Sequence, residues 1–160
     1  GVLLTDTSRL LLRYDLGKIP PGQKIVHAEL SVLVHGTSGP APRFYLWRML
    51  AEWGRGVCYL YRMIENGKEL EWTKPGAGAN AADRAARPTE IVRVKKTGVQ
   101  TINVTEDVQI WYSKAAPNFG WSITVEDPGS AVHFASPVWA YQGSWTLRIT
   151  YEPEAAETRK

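Results

Sequence analysis

The sequence predicts an antiparallel β-sandwich carrying one short helix. Apolar and polar residues alternate with period two in about eight segments, and turn signals recur every ~8–12 residues, the cadence of a sandwich. One stretch, Asn103 to Val125 (NVTEDVQIWYSKAAPNFGWSITV), departs from that period with a narrow three- and four-residue apolar spacing. At 160 residues and 44% hydrophobic content, the chain is long enough for one domain with a real core and too short for two. The domain is expected over residues 1–153, with a polar tail or linker at 154–160.

In order, Leu10, Leu12, Tyr14 and Leu16 alternate with Arg9, Arg13 and Asp15, and the run stops at the turn Ile19-Pro20-Pro21-Gly22. Ala28, Leu30, Val32 and Val34 alternate with His27, Glu29, Ser31 and His35, a second strand. After a loop at Gly36 to Pro42, Arg43 to Leu50 is apolar on both faces, as in a central strand. Thr89 to Lys95 and Val99 to Val104 flank Thr97-Gly98 and read as a hairpin. Trp121 to Val125, Ala131 to Ala135 and Trp145 to Tyr151 complete the set. Between these strands, Ala51 to Pro88 forms a long connection, and loops of that length are usually functional or locally ordered.

The helix is expected near 106–113. Val104, Val108 and Trp111 give it a narrow apolar stripe, and Glu106 and Asp107 place negative charge where the dipole favours it. Thr105 is placed as its cap, and Pro117 stops continuation. So short a helix is unstable alone and must dock on the sandwich.

Charge and motifs exclude several functions. The net charge of +3 is modest and the basic residues are scattered, which argues against a nucleic-acid partner. No run approaches the ~18 apolar residues of a membrane span, so no membrane insertion is expected. Cys58 is the only cysteine; it is expected as a small buried hydrophobe, the alternative being a thiol that pairs with another chain. His27, Glu29, Ser31 and His35 share a strand face, yet a solvated sheet face looks the same, and a working triad draws its partners from different elements. None of the common metal, phosphate or nucleophile motifs occurs, so the chain is read as non-catalytic with no cofactor required.

The order and spacing of several segments resemble the domains named DNRLRE, related to the disaggregatase repeat and to a jelly-roll family of carbohydrate-binding modules. The matching segments are SRLLLRYDLGKIPPGQKIVHAELSVLV, LWRMLAEW, Trp72 ahead of PGAGANAADRAARP, INVTEDVQIWYSKAAPNFGWSI, VHFAS and LRITY. The resemblance implies a sandwich of jelly-roll type on secreted, multidomain cell-surface proteins, especially bacterial ones, some of which bind polysaccharide. It also admits a structural calcium, for which Asp83, Glu126 and Asp127 are the oxygen donors to consider. Two departures stand out: the chain begins nine residues before Leu10, where the family carries further strands, and Gly56 to Glu71 is longer and more aromatic. Missing strands would leave a sandwich edge unpaired.

Seven Trp and seven Tyr set the remaining question. Trp111, Trp121 and Trp145 fall in phase with core residues, and the resemblance implies a structural role for Trp53 and Trp72, which match family positions flanking the long connection. Tyr45, Trp47, Tyr59, Tyr61, Trp139 and Tyr141 are then left as contact candidates, with Gln142 as a polar partner. A flat ring meets the apolar C–H face of a sugar at low entropy cost. The expected function is an extracellular domain that binds polysaccharide or cell-surface glycan. The alternative is a structural subunit of a surface layer or fibre, joined to other chains by strand exchange or loop contacts.

Overall fold

The computed structural model describes residues 1–136 and 145–155. Strands β1 (Val2–Thr5), β3 (Gln23–Ser38), β8 (Gly98–Asn103), β10 (Ala131–Phe134) and β11 (Thr146–Pro153) form one antiparallel sheet. Strands β2 (Arg9–Leu12), β4 (Arg43–Arg48), β7 (Glu90–Arg93) and β9 (Trp121–Thr124) form the other, in the order β2-β9-β4-β7. A small hairpin, β5 (Tyr61–Glu65) with β6 (Lys68–Glu71), stands apart.

Pairing partners fix the layout of the first sheet. Val34 pairs with Phe134 on one side and Gly98 on the other, and Glu29 pairs with Arg148 and Asn103. Strands β10 and β11 therefore lie end to end along one side of β3, β8 lies along the other, and β1 flanks β10. From β1 to β10 the chain alternates between the two sheets, except from β4 to β7, which pair with each other, and β11 then stays in the sheet of β10. That is the strand order of two Greek keys wound into a jelly roll.

The core follows from the alternation. Ala28, Leu30, Val32 and Val34 of β3 face inward against Phe44, Leu46, Trp121 and Ile123 of the second sheet, and all are essentially unexposed. Helix α1 (Thr105–Tyr112) buries Val108 and Trp111, and the Trp111 ring lies 4.7 Å from that of Trp121. Buried Asp107 is satisfied within the same cluster: Trp121 Nε1 and Thr89 Oγ1 both donate to it, and Arg48 approaches its other oxygen at 3.5 Å. At the turn before β9, Gly120 has φ +72, and a Cβ there would collide with the Leu12 carbonyl, so only glycine fits.

Several expectations are corrected. The segments around Thr97-Gly98 are not a hairpin: β7 pairs with β4 and β8 with β3, so the connection crosses between sheets. Thr105 does not cap the helix. Val104 occupies the N-cap position, while Thr105 Oγ1 accepts from Ala28 N and donates to Asn103 Oδ1, tying the helix start to β3. Strand β2 ends at Leu12, because the Tyr14 carbonyl is turned away to accept from Asn118 Nδ2. Val2–Thr5, ahead of the first strand read from the sequence, form β1 and pair with β10.

Candidate functional site

The long connection folds back as a cover over the outer face of the second sheet. Met49, Trp72 and Ala77 bury a second, smaller apolar cluster against Leu11, Trp53, Val57 and Phe119. Asp83, 1% exposed, organises this cover: its carboxylate accepts from the backbone N–H groups of Thr73, Lys74 and Ala79, and its carbonyl accepts from Leu50 and Ala51. Buried carboxylates need such donors, and here the backbone supplies them.

Between the cover and the β1–β2 turn lies a cleft of about 400 Å³. Trp53, Tyr59 and Trp72 line it with aromatic surface, and Thr7, Ser8 and Arg9 supply polar groups from the turn. Each ring is fixed by its own contacts. Trp53 Nε1 donates to the Phe119 carbonyl at 2.6 Å, and Trp72 Nε1 donates to the Cys58 carbonyl at 2.9 Å. Tyr59, 54% exposed, accepts at its carbonyl from Gly76 N at 2.6 Å, and its ring sits so close to Gly76 that a Cβ there would come within 2.7 Å. The guanidinium of Arg13 lies 5.0 Å from the Trp53 ring centre. Arg9 Nη1 donates to the carbonyls of Asp6 and Ser8, while its buried Nε has no hydrogen-bond partner among the described residues.

The contact candidates separate. Tyr59 lines the cleft; Tyr61 is not among its lining residues, and its phenol is pushed up by a hydrogen bond to Glu69. Tyr45 and Trp47 stack on the outer face of β4, with ring centres 6.0 Å apart. Trp47 is 6% exposed, its ring is covered by Arg84 at 3.6 Å, and its Nε1 donates to Thr124 Oγ1; it is a packing residue, closed to an outside ligand. Trp139, Tyr141 and Gln142 lie outside the described residues. Cys58, expected as buried, is exposed and lines the cleft, because it sits in a tight turn where its Sγ accepts from Tyr61 N.

The three calcium candidates are each engaged separately. Asp83 takes backbone donors, as above. Glu126 accepts from Arg84 Nη1 and Thr124 Oγ1, both at 2.8 Å; burial pushes its carboxyl up, but these partners outweigh it and hold it below its ordinary value. Asp127 takes a bidentate contact from Arg43, which holds it low against the opposing effect of burial. Among the described residues no three His, Cys, Asp or Glu side chains gather where an ion is held. On the opposite sheet, His27 Nε2 donates to Glu29 Oε1 at 2.8 Å, a half-exposed pair on the outer face.

Trp53 and Trp72, read as structural from the sequence, and Arg9, not singled out there, are candidate site residues because they line the cleft. One signal exists: Leu10, Leu11 and Leu12 make β2 apolar on both faces, which requires something to cover the outer one. No known family model matches the chain, and no curated protein matches it.

Proposed function

We propose that the chain is a non-catalytic extracellular domain that binds polysaccharide or cell-surface glycan in the cleft between its cover and the β1–β2 turn. One observation carries this reading: Trp53 and Tyr59, with the largely buried Trp72 at the wall, line a 400 Å³ concavity together with Thr7, Ser8 and Arg9 of the β1–β2 region. Pockets of this size, mainly apolar with a few placed polar groups, are where small ligands are held. Rigid rings offer flat contact to the C–H faces of a sugar, and the turn hydroxyls and Arg9 offer hydrogen bonds to its hydroxyls. Among the described residues the lining contains no carboxylate, whereas glycoside hydrolysis generally uses a pair of them. A concave site favours a soluble chain or chain end over a flat crystalline face. The DNRLRE-like motifs agree with a place on a secreted surface protein.

Binding to a panel of immobilised polysaccharides tests the proposal, with Tyr59→Ala, Trp53→Ala and Arg9→Ala measured beside the native chain. Retention on at least one glycan, weakened roughly tenfold or more by Tyr59→Ala, is the expected result for an aromatic anchor. No retention on any glycan, or retention indifferent to all three substitutions, sinks it. Trp139→Ala and Tyr141→Ala in the same panel report whether those residues contribute.

A further inference from the structure

The geometry points to a symmetric dimer in which β11 of one copy pairs antiparallel with β11 of a second, joining two sheets into one. Strand β11 is eight residues long and pairs with β3 on one side. Strand β1 continues the outer lane only beside Ala131–Phe134, so among the described residues no strand occupies the outer side of Leu147–Pro153. The consequence shows in burial: Ala28 and Leu30 of β3 are fully buried, yet Leu147 and Ile149, their neighbours on the same face, are only partly so, and Tyr151 is 41% exposed. Edges this long invite another strand, and natural proteins usually blunt them with a bulge or a proline. The only irregularity here is an extra residue on the β3 side, and the strand's one proline closes it at Pro153.

The pattern along β11 selects a second copy as the occupant. Centre an antiparallel self-pairing on Thr150, and Arg148 faces the partner's Glu152 while Ile149 faces the partner's Tyr151, each contact occurring twice by symmetry. Arg148 already stands opposite Glu29 on β3, and Glu152 opposite Lys24. The outer face of the joined sheet would read Glu29, Arg148, the partner's Glu152 and the partner's Lys24, alternating in sign across the interface. Glu29 is also bonded by His27, whereas Arg148 and Glu152 enter no ion pair among the described residues. The inner side extends the core with Ile149 against Tyr151. This inference stands independently of the glycan cleft, which lies on the other sheet.

Sedimentation velocity of the full chain over a wide concentration range reads the outcome. The native chain is expected to show a reversible dimer that weakens with added salt. Arg148→Glu and Glu152→Arg alone each place like charges opposite one another twice, and each is expected to weaken association about tenfold or more. Mixing the two variants restores both opposite-sign contacts, so the mixture is expected to recover a heterodimer that neither forms alone. A retained cooperative thermal transition, lowered only by the new like-charge pair each reversal makes with Glu29 or Lys24 on β3, shows that both variants fold. A native chain that stays monomeric up to about 1 mM, the weak end of specific association, overturns the inference. So does a dimer indifferent to the two substitutions, or a mixture that fails to recover one.

Discussion

The guanidinium of Arg84 lies 3.6 Å from the centre of the Trp47 ring, and its Nη1 donates to Glu126 at 2.8 Å. This contact pins the cover to the second sheet, since Arg84 belongs to the long connection while Trp47 lies in β4 and Glu126 just beyond the end of β9. Arg84 Nε also donates to Asn80 Oδ1 at 2.7 Å, holding the cover's own turn. Replacing Arg84 by Ala is expected to cost about 2 kcal/mol in denaturant titration, because it leaves a partly buried carboxylate without its cation. Arg84→Lys keeps the charge but loses the planar stack, and its loss should fall between. Hydrogen exchange at Thr73, Lys74 and Ala79 should quicken in both variants more than exchange in β3.

Gly76→Ala addresses the cleft without touching the sandwich core. The added Cβ meets the Tyr59 ring at 2.7 Å, and the backbone there has φ +74. Strain of about 1 kcal/mol is expected, together with an outward displacement of the ring. Glycan retention should fall as it does for Tyr59→Ala, while the main thermal transition moves by only a few degrees.

Asp107→Ala tests the buried cluster beneath the helix. Trp121 Nε1 and Thr89 Oγ1 would lose their acceptor, and Arg48 its counter-charge. Orphaned buried donors cost about 1–3 kcal/mol each, so a loss of about 3 kcal/mol in thermal unfolding is expected, with altered Trp121 fluorescence in the folded state. Asp107→Asn keeps one acceptor oxygen and should lose less.

Acidification should weaken two separate contacts, the Glu126–Arg84 pair that holds the cover and the Asp127–Arg43 pair at the start of β4. Glu126 and Asp127 are both held below their ordinary values in the folded chain, so their contribution is full above the usual carboxylate range near pH 4. It drains as pH falls through the lowered folded values, because the unfolded chain takes up protons more readily. Glu126→Gln should flatten that acid slope in thermal unfolding measured from pH 6 to pH 2, and an unchanged slope would refute its assignment to this pair.

At the alkaline end, burial pushes Tyr14 from 10.0 up to about 12. Its hydroxyl donates to the Trp145 carbonyl at 2.8 Å, a bond only the protonated form makes. A raised folded pKa means stability that is full below pH 10 and lost as pH climbs from 10 towards 12. Tyr14→Phe should be less stable at pH 8 and should show a shallower decline above pH 10.

Much of the sandwich is legible because its strands face two different media. The alternation Ala28, Leu30, Val32, Val34 survives in the structure residue by residue, as does the core placement of Trp111 and Trp121. Strand β1 is not legible in the sequence because Val2-Leu3-Leu4-Thr5 is too short to show a period, and Leu3 is exposed. Thr97-Gly98 looks like a hairpin turn because the local chemistry of a turn is the same whether the chain stays in one sheet or crosses to the other. The cleft is harder still. Arg9, Trp53 and Trp72 meet only after the cover folds back, and nothing periodic links a turn near the start to two tryptophans inside a long loop.

The cover leaves the sandwich and returns to it at nearly the same place. Ala85 N donates to the Arg48 carbonyl and Thr89 N to the Leu46 carbonyl, so the returning chain lies beside the strand from which it departed. Because the two ends meet on one strand, the residues between them form a cassette. Its length and composition can change without altering the strand order beneath, much as hypervariable loops change on a constant framework. A chassis of this kind can carry a different cover without being rebuilt, with β2 and β4 as the fixed docking rails.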